Sequence, residues 1–274
     1  MIRAATAVLI GVALLLGSGV IFSELQTRAI FPAHAVGRAG PLPPGSQRLE
    51  ATSADGRKLH GVHIPPLRPR RGGKLLILGF GGNAWNGEDV ASYLHELYPA
   101  ADIVTFHYRG YAPSQGSPSA AGLIADAPLV YDEAVDHVRP DRTVAVGFSI
   151  GSGVSASLAG RRTLVGLILV TPFDSLKAVA QSMYGWLPVG PFFEHEIDAA
   201  SFLEGSRVPV AVVAAERDEI IPADRTAALR PQVPNLVFDH VIAGAGHNDI
   251  YHRSEFHEAM RDALAATGTD AAKA

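Results

Sequence analysis

Val144-Ala145-Val146-Gly147-Phe148-Ser149-Ile150-Gly151-Ser152-Gly153 is the stretch whose reading decides the fold. A β-branched, apolar run reaches Gly147, and small residues lead from Gly151 into Val154-Ser155-Ala156-Ser157-Leu158-Ala159. This change of pattern predicts a buried strand, a very tight turn and a helix. One serine stands between the glycines, in the spacing G-x-S-x-G. A strand that reverses directly into a helix leaves no room for Cβ atoms beside the turn. The residue at its apex is therefore held in strained backbone with its side chain outward. A hydroxyl there lies at the carboxyl end of a strand and the N-terminus of a helix, where developing negative charge is stabilised. The five-residue motif alone fits an ordinary glycine-rich turn equally well, so its context has to discriminate.

Working outward, the same alternation of patterns recurs. Strands are expected around Arg48–Ala51, Leu59–Ile64, Lys74–Leu78 and Asp102–Phe106, and later at Leu164–Val170, Val208–Ala214 and Leu236–Ile242. Helices are expected after Asn83, where Val90, Tyr93, Leu94, Leu97 and Tyr98 share a face, over Ala120–Val138, and from Asp249 to Ala265. Pro128 should kink the second of these or restart it from Asp126 as a cap. Strands alternating with helices predict a mostly parallel sheet covered on both faces, with chemistry at the carboxyl ends of its strands.

The chain has 274 residues, 47% of them hydrophobic and 18% charged, enough for one sizeable core. A formal net charge of −4 without a basic block gives no sign of nucleic-acid binding. The absence of cysteine removes disulfides, thiol nucleophiles and Cys-based metal sites. No histidine spacing suggests a metal, since His60 and His63 face opposite sides of one strand and no H-E-x-x-H occurs. Ala4 to Phe22 is an apolar run behind Arg3, expected to be a retained N-terminal membrane anchor, or a secretory signal if cleaved, with the remainder extracytoplasmic. The expected organisation is an anchor or signal over 1–27, a Pro/Gly-rich lead-in over 28–46, one catalytic domain over 47–267 and a tail over 268–274.

A serine hydroxyl needs an imidazole to take its proton, and the imidazole needs a carboxylate to fix its tautomer and stabilise its charge. Asp218 follows the strand Val208–Ala214, and His247 follows the last strand in Gly244-Ala245-Gly246-His247-Asn248-Asp249. The order Ser149, Asp218, His247, each on a loop after its own strand, is that of the α/β-hydrolase arrangement. Asp174 is the competing carboxylate; Glu216 is assigned to solvent or to capping its loop, and Asp249 to the N-cap of the closing helix. The oxyanion formed in such chemistry needs two N–H donors. Ile150 supplies one, and Asn83, with Gly82 as the alternative, the other.

On these residues the chain resembles the α/β-hydrolase superfamily, in the branch of membrane-anchored serine hydrolases with a serine-aminopeptidase-like domain. The likeness runs through Ile30-Phe31-Pro32, Gly82-Asn83-Ala84, Tyr108-Arg109-Gly110-Tyr111, Gly116-Ser117-Pro118-Ser119, the serine turn and Gly246-His247-Asn248-Asp249. Relatives carry His where this chain has Gly81 and Gly where it has Trp85, which bears on the shape of the oxyanion loop. The resemblance implies an α/β-hydrolase fold with a short lid, Ser149, Asp218 and His247 as a triad, and no cofactor or metal.

The implied activity is hydrolysis of esters or thioesters of a small-molecule or lipid-like acyl group, with aminopeptidase-like amide cleavage as the alternative. Between Ser175 and Arg207, Met183, Trp186, Leu187, Val189, Phe192 and Phe193 form either a lid over the pocket or an ordinary packed connection. Gly82, Trp186 and Phe192 are the candidate pocket residues. Arg109 either orients a substrate carboxylate or braces its own loop. Gly79-Phe80-Gly81-Gly82-Asn83-Ala84 imitates a dinucleotide fingerprint, but the next strand ends in Phe106-His107 rather than an acidic residue. A non-catalytic binder on the same fold would be expected to lack a triad member, and none is missing.

Overall fold

A computed structural model describes residues 22–68, 72–183, 185 and 192–268. Its centre is an eight-stranded sheet in the order β1-β2-β4-β3-β5-β6-β7-β8. The strands are β1 (Gln47–Thr52), β2 (Lys58–Ile64), β3 (Leu75–Phe80), β4 (Asp102–Phe106), β5 (Arg142–Phe148), β6 (Gly166–Val170), β7 (Val210–Ala215) and β8 (Leu236–Ile242). β1 and β2 form an antiparallel hairpin joined antiparallel to β4, and every other pairing is parallel. This is the α/β-hydrolase fold.

The helices are α1 (residues 22–30), α2 (Gly87–Leu97), α3 (Ala120–Val138), α4 (Ile150–Ala156), α5 (Leu176–Met183), α6 (Ala199–Leu203), α7 (Ala223–Leu229) and α8 (Ser254–Ala266). The period of two along a strand divides the core between the sheet's faces. Leu76, Leu78 and Phe80 of β3 turn to α3, α4 and α6, whereas Leu75 and Ile77 turn to α2 and α8. Every residue of β3, β4, β6 and β7 is buried, as expected of strands covered on both sides. β8, at the sheet's edge, alternates instead and leaves Val237 and Val241 exposed.

Three expectations need correction. No helix among the described residues is long and apolar enough to cross a membrane, so the expected membrane anchor and the extracytoplasmic location that rested on it are withdrawn. Residues 4–21 of that run lie outside the described residues. Pro128 does not restart α3, which runs on through it as one helix of 19 residues. The carbonyl of Ile124, which Pro128 cannot bond for want of an N–H, instead accepts Nη1 of Arg161 at 3.1 Å. The closing helix begins at Ser254 and not at Asp249, with a 3₁₀ turn over Ile250–His252 before it.

Candidate active site

The turn after β5 holds Ser149 at φ 52° and ψ −120°, a left-handed conformation that costs a non-glycine residue on the order of 1–3 kcal/mol. The flanking glycines permit it. A Cβ on Gly147 would meet the Gly151 carbonyl and Ser155 Oγ, and a Cβ on Gly151 would meet the Phe80 carbonyl. The Ser149 amide is tied to the neighbouring strand through Val170 O at 2.9 Å, and its carbonyl accepts Ser152 Oγ at 2.6 Å. The backbone is thus clamped at both ends, while among the described residues no hydrogen bond engages Ser149 Oγ. The amide of Ile150 opens α4, where helix geometry offers it no partner four residues back.

Asp218 and His247 come from the loops after the adjacent strands β7 and β8. Nδ1 of His247 lies 2.9 and 2.8 Å from Oδ1 and Oδ2 of Asp218, and both residues' side chains are buried. The carboxylate is aimed by its own turn, with Oδ1 accepting the amides of Ile220 and Ile221 at 2.9 and 2.6 Å. The two loops are stitched together by Glu216 N to Ile242 O at 3.1 Å and Arg217 N to Ala245 O at 2.8 Å. Side chains add two further stitches, Gly244 N to Glu216 Oε2 at 2.7 Å and His247 N to Glu219 Oε2 at 3.0 Å. Glu216 therefore caps the histidine loop. Asp249, expected to cap the closing helix, accepts Gly246 N at 2.8 Å and pairs with Arg253. Asp174 pairs with Arg225 at 3.3 Å and does not line the cavity that His247 faces.

The loop after β3 crosses in front of the serine, so that a Cβ on Gly82 would lie 3.8 Å from Ser149 Cβ. Two tyrosines of the β4 loop hold it from behind: Tyr108 Oη donates to Gly81 O at 2.8 Å and Tyr111 Oη to Asn83 O at 2.7 Å. The Asn83 side chain donates to Ile30 O at 3.0 Å. Arg109 grips Asp126 through Nε and Nη2, both at 2.7 Å, and reaches Asp55 at 3.2 Å. It braces its loop and does not face the cavity. Asp126, expected as a helix cap, is its partner.

Ser149, Ile150, Gly82, Asn83 and His247 share the wall of one cavity of about 520 Å³. Leu176, Val179, Ala180 and Met183 of α5 line it, with Phe193 beside them; Ala29 and Ile30 at the end of α1 close another side. Trp85, Tyr93 and Tyr251 line an aromatic side, where Trp85 packs within 5.4 Å of Tyr93, Phe148 and Tyr251, centroid to centroid. Burial pushes the Tyr93 and Tyr251 phenols well above their ordinary value, so both stay neutral. Among the described lining residues there is no Asp, Glu, Lys or Arg.

Phe192 is 60% exposed and does not line the cavity, while Trp186, Leu187 and Val189 fall outside the described residues. Ala29, Tyr251 and His252 were missed from sequence. The last two follow His247 closely enough to have been suspected, whereas nothing local marks Ala29. Ser149 and His247 face the same space without a hydrogen bond between them among the described residues.

No protein-family model matches the chain. It is 31% identical over 255 residues to the uncharacterised protein Rv2307c of Mycobacterium tuberculosis, covering 88% of this chain and 87% of that one. A shorter likeness, 31% over 168 residues, reaches a protein of Danio rerio named lysophosphatidylserine lipase ABHD12, over 54% of this chain and 44% of the other. Among solved structures, the Pyrococcus furiosus esterase Pf2001 superposes with a TM-score of 0.64 at 17% identity, covering 84% of this chain and 96% of its own, a likeness of fold. With that sheet and that turn in place, the chain has the α/β-hydrolase fold and belongs to one family with Rv2307c.

Proposed function

We propose that this protein is a serine hydrolase that cleaves esters or thioesters of apolar acyl groups through an acyl-enzyme. The observation that carries the proposal is the His247–Asp218 pair opening onto the same cavity as the strained Ser149. Nδ1 is taken by Asp218, so Nε2 is the ring nitrogen left to act as a base. Ser149 Oγ attacks the acyl carbonyl as its proton passes to Nε2, and Asp218 stabilises the resulting imidazolium. The oxyanion is received by the amides of Ile150 and Asn83, each donor of this kind contributing on the order of 10²–10³ in rate. His247 then protonates the leaving alkoxide or thiolate, and water repeats the sequence on the acyl-enzyme. The missing Ser149–His247 hydrogen bond is compatible with this scheme, because such contacts commonly tighten only when substrate binds.

The uncharged lining favours an apolar acyl group over an aminoacyl one. A free α-ammonium would enter a cavity whose described walls offer it no carboxylate, at a desolvation cost that no partner offsets. The lipase name of ABHD12 and the esterase name of Pf2001 agree with that preference.

The test is hydrolysis of p-nitrophenyl butyrate beside an aminoacyl p-nitroanilide, with fluorophosphonate labelling and peptide mapping. The wild type should cleave the ester in preference and carry the label on Ser149, and Ser149→Ala should lose both. Ester hydrolysis retained in purified Ser149→Ala, or a label mapped to Ser114 or Ser152, would overturn the assignment.

A further inference from the structure

Helix α1 lies outside the sheet, with Ile30 packed against the core on one of its faces, and its last turn is built into the cavity. Ser23, Gln26, Thr27 and Ile30 recur at intervals that put them on one helical face. Three of them meet the segment that follows α5. Ser23 Oγ donates to Glu194 Oε2 at 2.5 Å, Gln26 Nε2 to Phe192 O at 2.9 Å, and Thr27 Oγ1 bonds Nε2 of the buried His195 at 2.8 Å. Phe31, 2% exposed, sets its ring edge-on to the same imidazole at 5.2 Å and anchors the end of the helix in the core. The fourth, Ile30, reaches the cavity beside Ala29, and its carbonyl accepts the side chain of Asn83. The end of α1 is therefore fastened to the segment that follows α5 on one side and to the proposed oxyanion loop on the other.

We propose that the last turn of α1, latched by Thr27 to His195, is the wall that sets how long an acyl chain this hydrolase accepts, with Ile30 as the specificity-determining side chain. The proposal rests on the hydrolase reading of the same site. Apolar burial rewards each methylene that fits, so selectivity for the longer ester should climb until the chain meets Ile30 and then drop. A smaller residue at 30 moves that limit outward. Breaking the latch frees the wall and blurs the limit, because His195 Nε2 then loses its partner while its Nδ1 has none among the described residues.

The test compares the full-length wild type, Ile30→Ala, Ala29→Leu and Thr27→Val over p-nitrophenyl esters from acetyl to palmitoyl. The readout is the chain length at which kcat/KM peaks. Displacement of dansyl-undecanoic acid by fatty acids of graded length is measured in parallel in the Ser149→Ala background. Ile30→Ala should move both optima to longer chains by about two or three methylenes, the carbon count removed at roughly one methylene per buried CH₂. Ala29→Leu should shorten them, and Thr27→Val should flatten both profiles. Unchanged optima in Ile30→Ala and Ala29→Leu, each folded by circular dichroism, would overturn the proposal. Chain-length-dependent displacement of the probe in the Ser149→Ala background, beside a wild type that hydrolyses no ester, would overturn the hydrolase reading and leave the wall standing.

Discussion

Two histidine–carboxylate pairs of the same separation are buried at different places on the sheet. His247 holds Asp218 at 2.8 Å at the carboxyl end of β7 and β8, and His63 on β2 holds Asp102 at 2.8 Å, where β4 begins. Distance and burial do not tell them apart; what the second ring nitrogen faces does. The free edge of His247 looks onto a cavity that also contains Ser149. The free edge of His63 meets His137 Nε2 at 3.2 Å, with the two rings edge to face, and neither His63 nor His137 lines the main cavity. Since Asp102 takes the proton on His63 Nε2, His63 Nδ1 accepts and His137 donates. The first pair has an unspent basic nitrogen and the second has none, so one is suited to chemistry and the other to holding β2, β4 and α3 together.

The sharpest way to break the comparison is to damage each carboxylate in turn. Asp218→Asn should lower kcat for a short ester by about 10⁴, through loss of the tautomer and of imidazolium stabilisation, with little change in unfolding free energy. A rate within tenfold of wild type would put the two pairs in the same class. Asp102→Ala should do the reverse, costing about 3 kcal/mol in urea unfolding by stripping a buried group of its partner, while the folded protein keeps its rate. A rate loss without destabilisation would reverse the roles assigned here.

A smaller effect sharpens the same contrast. Burial pushes the imidazoles of His95, His107, His137 and His195 below the ordinary histidine value. These groups are held neutral in the fold and take up protons more readily when unfolded. Their contribution to stability is complete above the unfolded value of about 6.5 and is lost as pH falls below it. The Tm should therefore drop between pH 7 and pH 5, and His137→Asn should make that drop smaller. An unchanged slope in His137→Asn would mean that the His63–His137 contact does not resist protonation.

Most of the sheet was legible in the sequence because a buried parallel strand announces itself locally, in a run such as Leu75–Leu78 or Val210–Ala214. Ser149, Asp218 and His247 were nameable as candidates for the same reason, each standing on the first loop after such a run. What escaped depends on segments remote in the chain. Thr27 and His195 are 168 residues apart, and no pattern near either one signals the other. Pro128 was misjudged because the partner that relieves its missing bond, Arg161, comes from another element. Asp126 and Asp249 are residues of the capping type, but their side chains are engaged by Arg109 and Arg253, and a pairing of this kind is not marked by the helix pattern around either one.

The stitching between the loops after β7 and β8 has a consequence for how the site would start a turnover. Carboxylate and imidazole are already locked together before any ligand arrives, and the Ser149 backbone is pinned on both sides. What the proposed mechanism still has to form is the contact between Ser149 Oγ and His247, which share one cavity wall without a hydrogen bond among the described residues. Any slow conformational event would then fall to that contact or to the walls that admit the substrate.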